Sequence, residues 1–297
     1  MTRILPHKFH VTLCIALTMI FAAGASKAQD TNLTANYQWA PVQIGAGGWM
    51  RGMAVSTSNP NYMYARGDVG NVYYWNSSTQ TWVPTQTSTS FPAPYNTAPL
   101  TNGGGAIAID PSNPEHFLVA WTLNGSADIG NGRSLNVFES TNGGVSYQAG
   151  NLSLKGDLSL ETTGERIVID PNNGNVAYFA PPGASGATDG LQLSTNGGTS
   201  WSQVTASGLP VTNPSGTRYE FQLPRIDGGS GTTSLNGTTV SKILYVTYIK
   251  HNEANSDAVT GGGVLMSTNG GSSWTDITGS VRQLWLDRGR AFESATA

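Results

Sequence analysis

Hydrophobic positions in this chain come in short bursts. Runs of roughly four to eight β-branched, aromatic and small apolar residues are cut off by clusters of Gly, Asn, Asp, Pro and Ser, the pattern of strands and their turns. Met53–Val55 is followed by Ser-Thr-Ser-Asn-Pro and then by Tyr62–Ala65. Ile107–Ile109 runs through Asp-Pro-Ser-Asn-Pro to Phe117–Trp121, and Ile167–Ile169 runs through Asp-Pro-Asn-Asn to Val176–Phe179. Each reads as strand, Pro/Asn turn, strand. Asp110 and Asp170 precede Pro in those turns and are expected to be structural. Lys242–Lys250 (KILYVTYIK) predicts a further strong strand, and Pro84–Gly105, rich in Pro, Ser, Thr and Asn, a long loop.

An octapeptide punctuates the later strands: STNGGVSY from Ser140, STNGGTSW from Ser194 and STNGGSSW from Ser267. Recurrence of one pattern at long spacing marks repeated supersecondary units. Its chemistry is that of a tight turn. Asn tolerates left-handed backbone and bonds local amides, the Gly pair supplies positive φ, and the Ser hydroxyl can hold the turn backbone. The closing Tyr or Trp is expected to plug the core beneath the turn. At ~25 cal/mol per Å², burying ~150–250 Å² of ring gives at most roughly 4–6 kcal/mol. Four-stranded units in series are blades of a β-propeller, here about 40–100, 105–160, 165–212 and 218–280. The expected fold is all-β.

Residues before the first unit change the picture of where the chain works. Arg3 and Lys8, an apolar run Val11–Ala23 and small residues up to Ala28 read as a secretory leader, 1–28, too short and wrongly flanked to span a membrane. A secreted or periplasmic protein follows, with 29–280 as the propeller region and 281–297 as a charged tail without strand alternation. The one cysteine, Cys14, lies in the leader, so no disulfide and no thiolate metal site is expected. Only 11% of residues are charged and the formal net charge is −3, which argues against nucleic acid as a partner. Beyond the leader the histidines are His116 and His251, far apart in sequence. They support neither a zinc site nor a Ser-His-Asp triad, and both are expected on the surface. No cofactor or metal is expected.

Candidate chemistry centres on Tyr62–Trp75 (YMYARGDVGNVYYW), where two apolar runs flank Asp68. With Gly67 and Gly70 on either side, a ligand could approach that carboxylate closely. Asp68 could equally serve only its own turn. Trp49 and Tyr73 flank this block and could stack on sugar rings or pack in the blade core. Trp82 and Trp121 are assigned to the core.

Together these residues resemble glycoside hydrolase family 74, the endo-xyloglucanases. The resemblance rests on Gly45–Trp49, Met53–Val55, Ala65-Arg66-Gly67-Asp68-Val69-Gly70-Asn71 with Trp75, Gly164-Glu165-Arg166 before IVIDPNN, and Gly190-Leu191 before the second octapeptide. It implies two seven-bladed propellers facing each other across a glucan cleft, and inverting hydrolysis of a β-1,4-glucan such as xyloglucan. Asp68 matches the family's general base. In an inverting enzyme the two carboxyls stand roughly 6.5–9.5 Å apart, leaving room for the attacking water. Gly67, Asn71 and Tyr74 depart from the family pattern, and all three octapeptides carry Asn where Asp is usual. No residue matches the general acid, which the resemblance puts in a second propeller. The expectation is therefore an N-terminal part, about four blades of a seven-bladed ring, with a C-terminal propeller missing. Two alternatives remain: a non-catalytic propeller that binds polysaccharide or a protein, and a sialidase. The latter needs an arginine cluster, of which Pro224-Arg225-Ile226 is the one echo.

Overall fold

The computed structural model describes residues 50–67, 72–87, 89–96, 104–123, 134–155, 166–182, 190–212, 216–252 and 258–279. The leader, the tail, Trp49 and Asp68 lie outside the described residues. Four antiparallel sheets follow one another along the chain. The first is β1 (Met50–Val55), β2 (Met63–Gly67), β3 (Val72–Asn76) and β4 (Thr81–Pro84). The second is β5 (Gly104–Ile109), β6 (Phe117–Leu123), β7 (Ser134–Ser140) and β8 (Gln148–Ala149), with β9 (Leu154–Lys155) also paired to β7. The third is β10 (Ile167–Asp170), β11 (Asn173–Phe179), β12 (Gln192–Ser194) and β13 (Ser202–Gln203). The fourth is β14 (Thr217–Leu235), β15 (Thr238–Asn252), β16 (Ala258–Ser267) and β17 (Thr275–Asp276). Strands within each sheet lie in chain order, so these are four propeller blades.

Period-two alternation decides how the blades stack. Along β6, Phe117, Val119 and Trp121 enter the core shared with blade 1, while Leu118 and Ala120 enter the core shared with blade 3. Along β11, Ala177 and Phe179 face back to blade 2 and Val176 and Tyr178 face forward to blade 4. A strand covered on both faces is expected to be mostly apolar, and every residue of β6 is buried, six of the seven being apolar and the other Thr122. Trp121 is fully buried, as expected, whereas Trp82 is only half-buried. The segment between β4 and β5 carries no strand among its described residues, yet it delivers Phe91 to the first core, stacked on Tyr147 with ring centroids 4.4 Å apart.

The octapeptides repeat one geometry three times. The Ser140, Ser194 and Ser267 hydroxyls accept from the amides of Gly144, Gly198 and Gly271 at 2.9, 2.9 and 2.8 Å. Oδ1 of Asn142, Asn196 and Asn269 accepts the amide of the serine four residues on, each at 2.9 Å. Both glycines of every copy have positive φ, between 67° and 98°, a region closed to most side chains. The Asn residues are not among the positive-φ residues, so they act through their amide side chains. Tyr147, Trp201 and Trp274 are all buried. Their amides donate to Ser90 O, Asn151 Oδ1 and Ser207 O, in the segments leading into each blade.

The Asp-Pro turns tie neighbouring blades. Asp170 accepts from the amide and hydroxyl of Ser241 in blade 4 at 2.7 and 2.5 Å. Asp110 accepts from the Ser112 amide and hydroxyl at 2.8 and 2.7 Å, and lies so close to Gly174 of blade 3 that a Cβ there would clash. His116 corrects an expectation: it is buried, with Nδ1 2.9 Å from Asp110 Oδ2 and Nε2 3.3 Å from Glu139 Oε1. His251 is buried too. Composition does not foretell this, because the partners that make burial tolerable are carboxylates distant in sequence or across a turn. Burial alone would lower the His116 pKa, but hydrogen bonds and charge from Glu139 and Asp110 raise it to about 9.

Two outcomes follow. Ser194→Ala strands the buried Gly198 amide and should cost about 1–3 kcal/mol in denaturant unfolding, whereas Asn196→Asp, which keeps the acceptor, should stay within about 1 kcal/mol. The His116 contribution is fully present below its unfolded pKa of 6.5 and is lost as pH rises through about 9. Unfolding midpoints of the wild type should therefore fall between these two values, and His116→Gln should flatten that fall.

Candidate functional site

Antiparallel order gives each blade two ends. The first strand begins and the second strand finishes at one end, where the second and third strands connect. In blade 1 that end is framed by Gly52 opposite Arg66 and by Arg66 opposite Val72. Asp68 belongs to the connection between Gly67 and Val72, outside the described residues. Its supports are well packed: Ala65, Arg66, Gly67 and Val72 are all buried. The Arg66 side chain runs across Gly52, and a Cβ at that glycine would stand 2.7 Å from Arg66 Nε. A short connection hung from two buried strand ends is the setting in which a rigid scaffold presents a loop side chain. Tyr73 is 3% exposed, and burial raises its phenol pKa. A sugar would reach its ring only after displacing what covers it.

The same end of blades 3 and 4 carries a charge network that sequence reading missed. Arg166 stands just before β10, Arg218 and Glu220 alternate along β14, and His251 pairs with Arg218 near the end of β15. Glu220 Oε1 accepts from Arg166 Nη2 at 2.7 Å and Gln222 Nε2 at 2.9 Å. Oε2 lies 3.2 Å from His251 Nε2 and 3.7 Å from Arg218 Nη1. Arg166 also donates to the Phe221 carbonyl at 3.1 Å, crossing from blade 3 to blade 4. Burial alone would raise the Glu220 pKa, but the Gln222 hydrogen bond and the Arg166 and Arg218 charges outweigh it and hold the carboxyl below its usual range. This carboxylate is saturated with donors, which suits it to hold the blade end rigid. The signal was present in the period-two spacing of Arg218, Glu220 and Gln222 on one face of a strand.

The network also bears on the arginine-cluster expectation. Arg166 and Arg218 converge on Glu220, and Arg225 donates to the Pro224 carbonyl at 2.8 Å. A ligand carboxylate at this place would have to displace Glu220. Among the described residues no group of three or more His, Cys, Asp or Glu side chains is placed to hold a metal ion, and no helix is long and apolar enough to cross a membrane.

Fold and site together define a series of four propeller blades, the last three closed by Ser-Thr-Asn-Gly-Gly turns. No family model matches the chain. It is similar to a xyloglucanase of Paenibacillus sp, 29% identical over 272 residues, which cover 89% of this chain and 25% of that protein. A xyloglucanase of Acetivibrio thermocellus is 28% identical over 286 residues, 91% of this chain and 30% of its own length. Among solved structures, the GH74 enzyme of Niastella koreensis superposes with a TM-score of 0.55 at 26% identity, covering 80% of this chain and 30% of that one. The chain thus spans between a quarter and a third of the relatives it matches.

Removing the acidic centre of the network should be costly. Glu220→Gln leaves the Arg166 and Arg218 charges buried without their counter-charge, at a cost of about 3–5 kcal/mol in equilibrium unfolding. Because the Glu220 pKa is lowered, its contribution is present above the ordinary value of 4.5 and is lost as pH falls through the folded value. The variant should lack that acid-side loss.

Proposed function

We propose that this chain is the N-terminal part of a secreted glycoside hydrolase that cleaves β-1,4-glucan of the xyloglucan type with inversion, and that Asp68 is its general base. The observation that carries this reading is the similarity to xyloglucanases across about nine tenths of the chain, at 29% identity. The Ala65–Asn71 block falls within it, at the strand connection where a scaffold of this kind displays chemistry. In this mechanism Asp68 takes a proton from a water on the far face of the sugar ring as the glycosidic bond breaks, and a carboxylic acid elsewhere protonates the departing oxygen. That acid belongs to a partner propeller or to a further part of the polypeptide. Trp49 is the ring we assign to stacking beside the base; Tyr73 could join it only if uncovered. The polysaccharide would lie across the Asp68 end of the blades, outside the cell or in the periplasm.

A second reading, a binding propeller without hydrolysis, is favoured by one feature: Glu220, a carboxylate described at this end, is fully engaged by its donors. A dinitrophenyl β-cello-oligosaccharide separates the two. Its leaving group departs without protonation, so a chain holding the base alone should release dinitrophenolate. Asp68→Ala should lower that release about 10²–10⁴-fold with the unfolding midpoint unchanged. Equal release by the variant would reject the base assignment, and no release by either protein would favour the binding module.

A further inference from the structure

At the opposite end of blades 1 and 2, away from the strand connection that contains Asp68, lies a groove of about 660 Å³. Its walls come from the start of β2, the end of β3, the segment after β4 and the octapeptide turn of blade 2. Tyr62, Tyr74 and Trp75 stand along it, all half-buried, and Asn76 and Thr87 edge it. Every lining side chain is uncharged.

Two contrasts within the molecule single this groove out. At the same end the seam between blades 2 and 3 has a hollow of about 340 Å³ lined mainly by polar side chains, among them His116, Asp110 and Glu139, and the seam between blades 3 and 4 one of about 350 Å³ beside Tyr178 and Ser272. The hollow of the first seam is about twice as large and is lined by Tyr62, Tyr64, Tyr74 and Trp75. Besides the closing ring, the octapeptides differ at their sixth position: the second and third copies carry Thr199 and Ser272, whereas the copy on the groove carries Val145, 75% exposed. Val145 therefore adds apolar surface to the rim beside the rings, where the other two copies place a hydroxyl.

We propose that this groove is a second, non-catalytic binding site for a neutral glycan chain. Sugar rings present apolar C–H faces that suit Tyr and Trp, and hydroxyls that suit Asn and Thr at the margin. A charge-free lining matches an uncharged polymer and offers nothing to an acidic one. The volume falls in the range of small-ligand sites, enough for a short run of sugar units. Holding the polymer on the face away from Asp68 keeps the protein on its substrate without competing for the reacting bond. The site does not depend on hydrolysis.

The test is calorimetric titration of the Asp68→Ala chain with xyloglucan oligosaccharides, with polygalacturonate as the charged comparison. Val145→Arg should remove one equivalent of bound glycan without moving the unfolding midpoint, since position 145 is exposed. Trp75→Ala should weaken that equivalent by about tenfold or more. Unchanged stoichiometry and affinity in folded Val145→Arg would overturn the proposal, as would equal binding of polygalacturonate. A shift in oligomeric state on Val145→Arg, with glycan binding intact, would assign the groove to a second copy and overturn it too. Loss of the equivalent in Val145→Arg supports the groove whatever the aryl glycoside assay gives, so failure of the hydrolase reading stays separate.

Discussion

Face-to-face burial of sheet on sheet is the constraint that the rest of this protein obeys. Each blade between two others has no solvent face, so alternate residues of one strand must satisfy two different cores. Phe117, Val119 and Trp121 serve one, and Leu118 and Ala120 the other. In blade 1 the alternation is visible on one strand: Met53 and Val55 on β1 are 57% and 45% exposed, while Ala54 between them packs into the first core. The hydrophobic effect acts on each face separately, and the stack is a sum of such interfaces.

Polar chemistry then fixes what burial alone leaves loose. The three octapeptide turns place one aromatic ring into each seam and tie its amide to a neighbouring segment. The Asp-Pro turns bond or press upon the next blade. His116 and Glu220 do the same with charge, each surrounded by opposite partners that make its burial tolerable. These devices differ from seam to seam. At the first seam Tyr62 donates to Glu115 across the blades at 3.1 Å, beside the aromatic groove.

The described strand ends on either side of the Asp68 segment are firmly held. Arg66 laid over Gly52, with Val72 fully buried beside it, anchors both ends of the segment that contains Asp68. The Glu220 network holds the corresponding ends of blades 3 and 4. Rigid blade ends leave the loops between them to set function, which is how one propeller scaffold serves both binding and hydrolysis.

Local pattern alone determined the blades of this chain. Strand runs, Asp-Pro turns and octapeptides depend on neighbours within a few residues, so the four sheets and the buried Tyr147, Trp201 and Trp274 were legible in order of sequence. Arg66, Asp68 and their glycines were legible too, as a motif. Tertiary structure decided the rest: that His116 and His251 are buried, that Arg166 reaches Glu220 across a seam, that Phe91 leaves a loop for the core, and that Val145 faces a groove. Those facts turn on which surfaces of distant segments meet. A charge or ring changes its environment only when a second blade arrives beside it, and nothing in its own neighbourhood records that arrival.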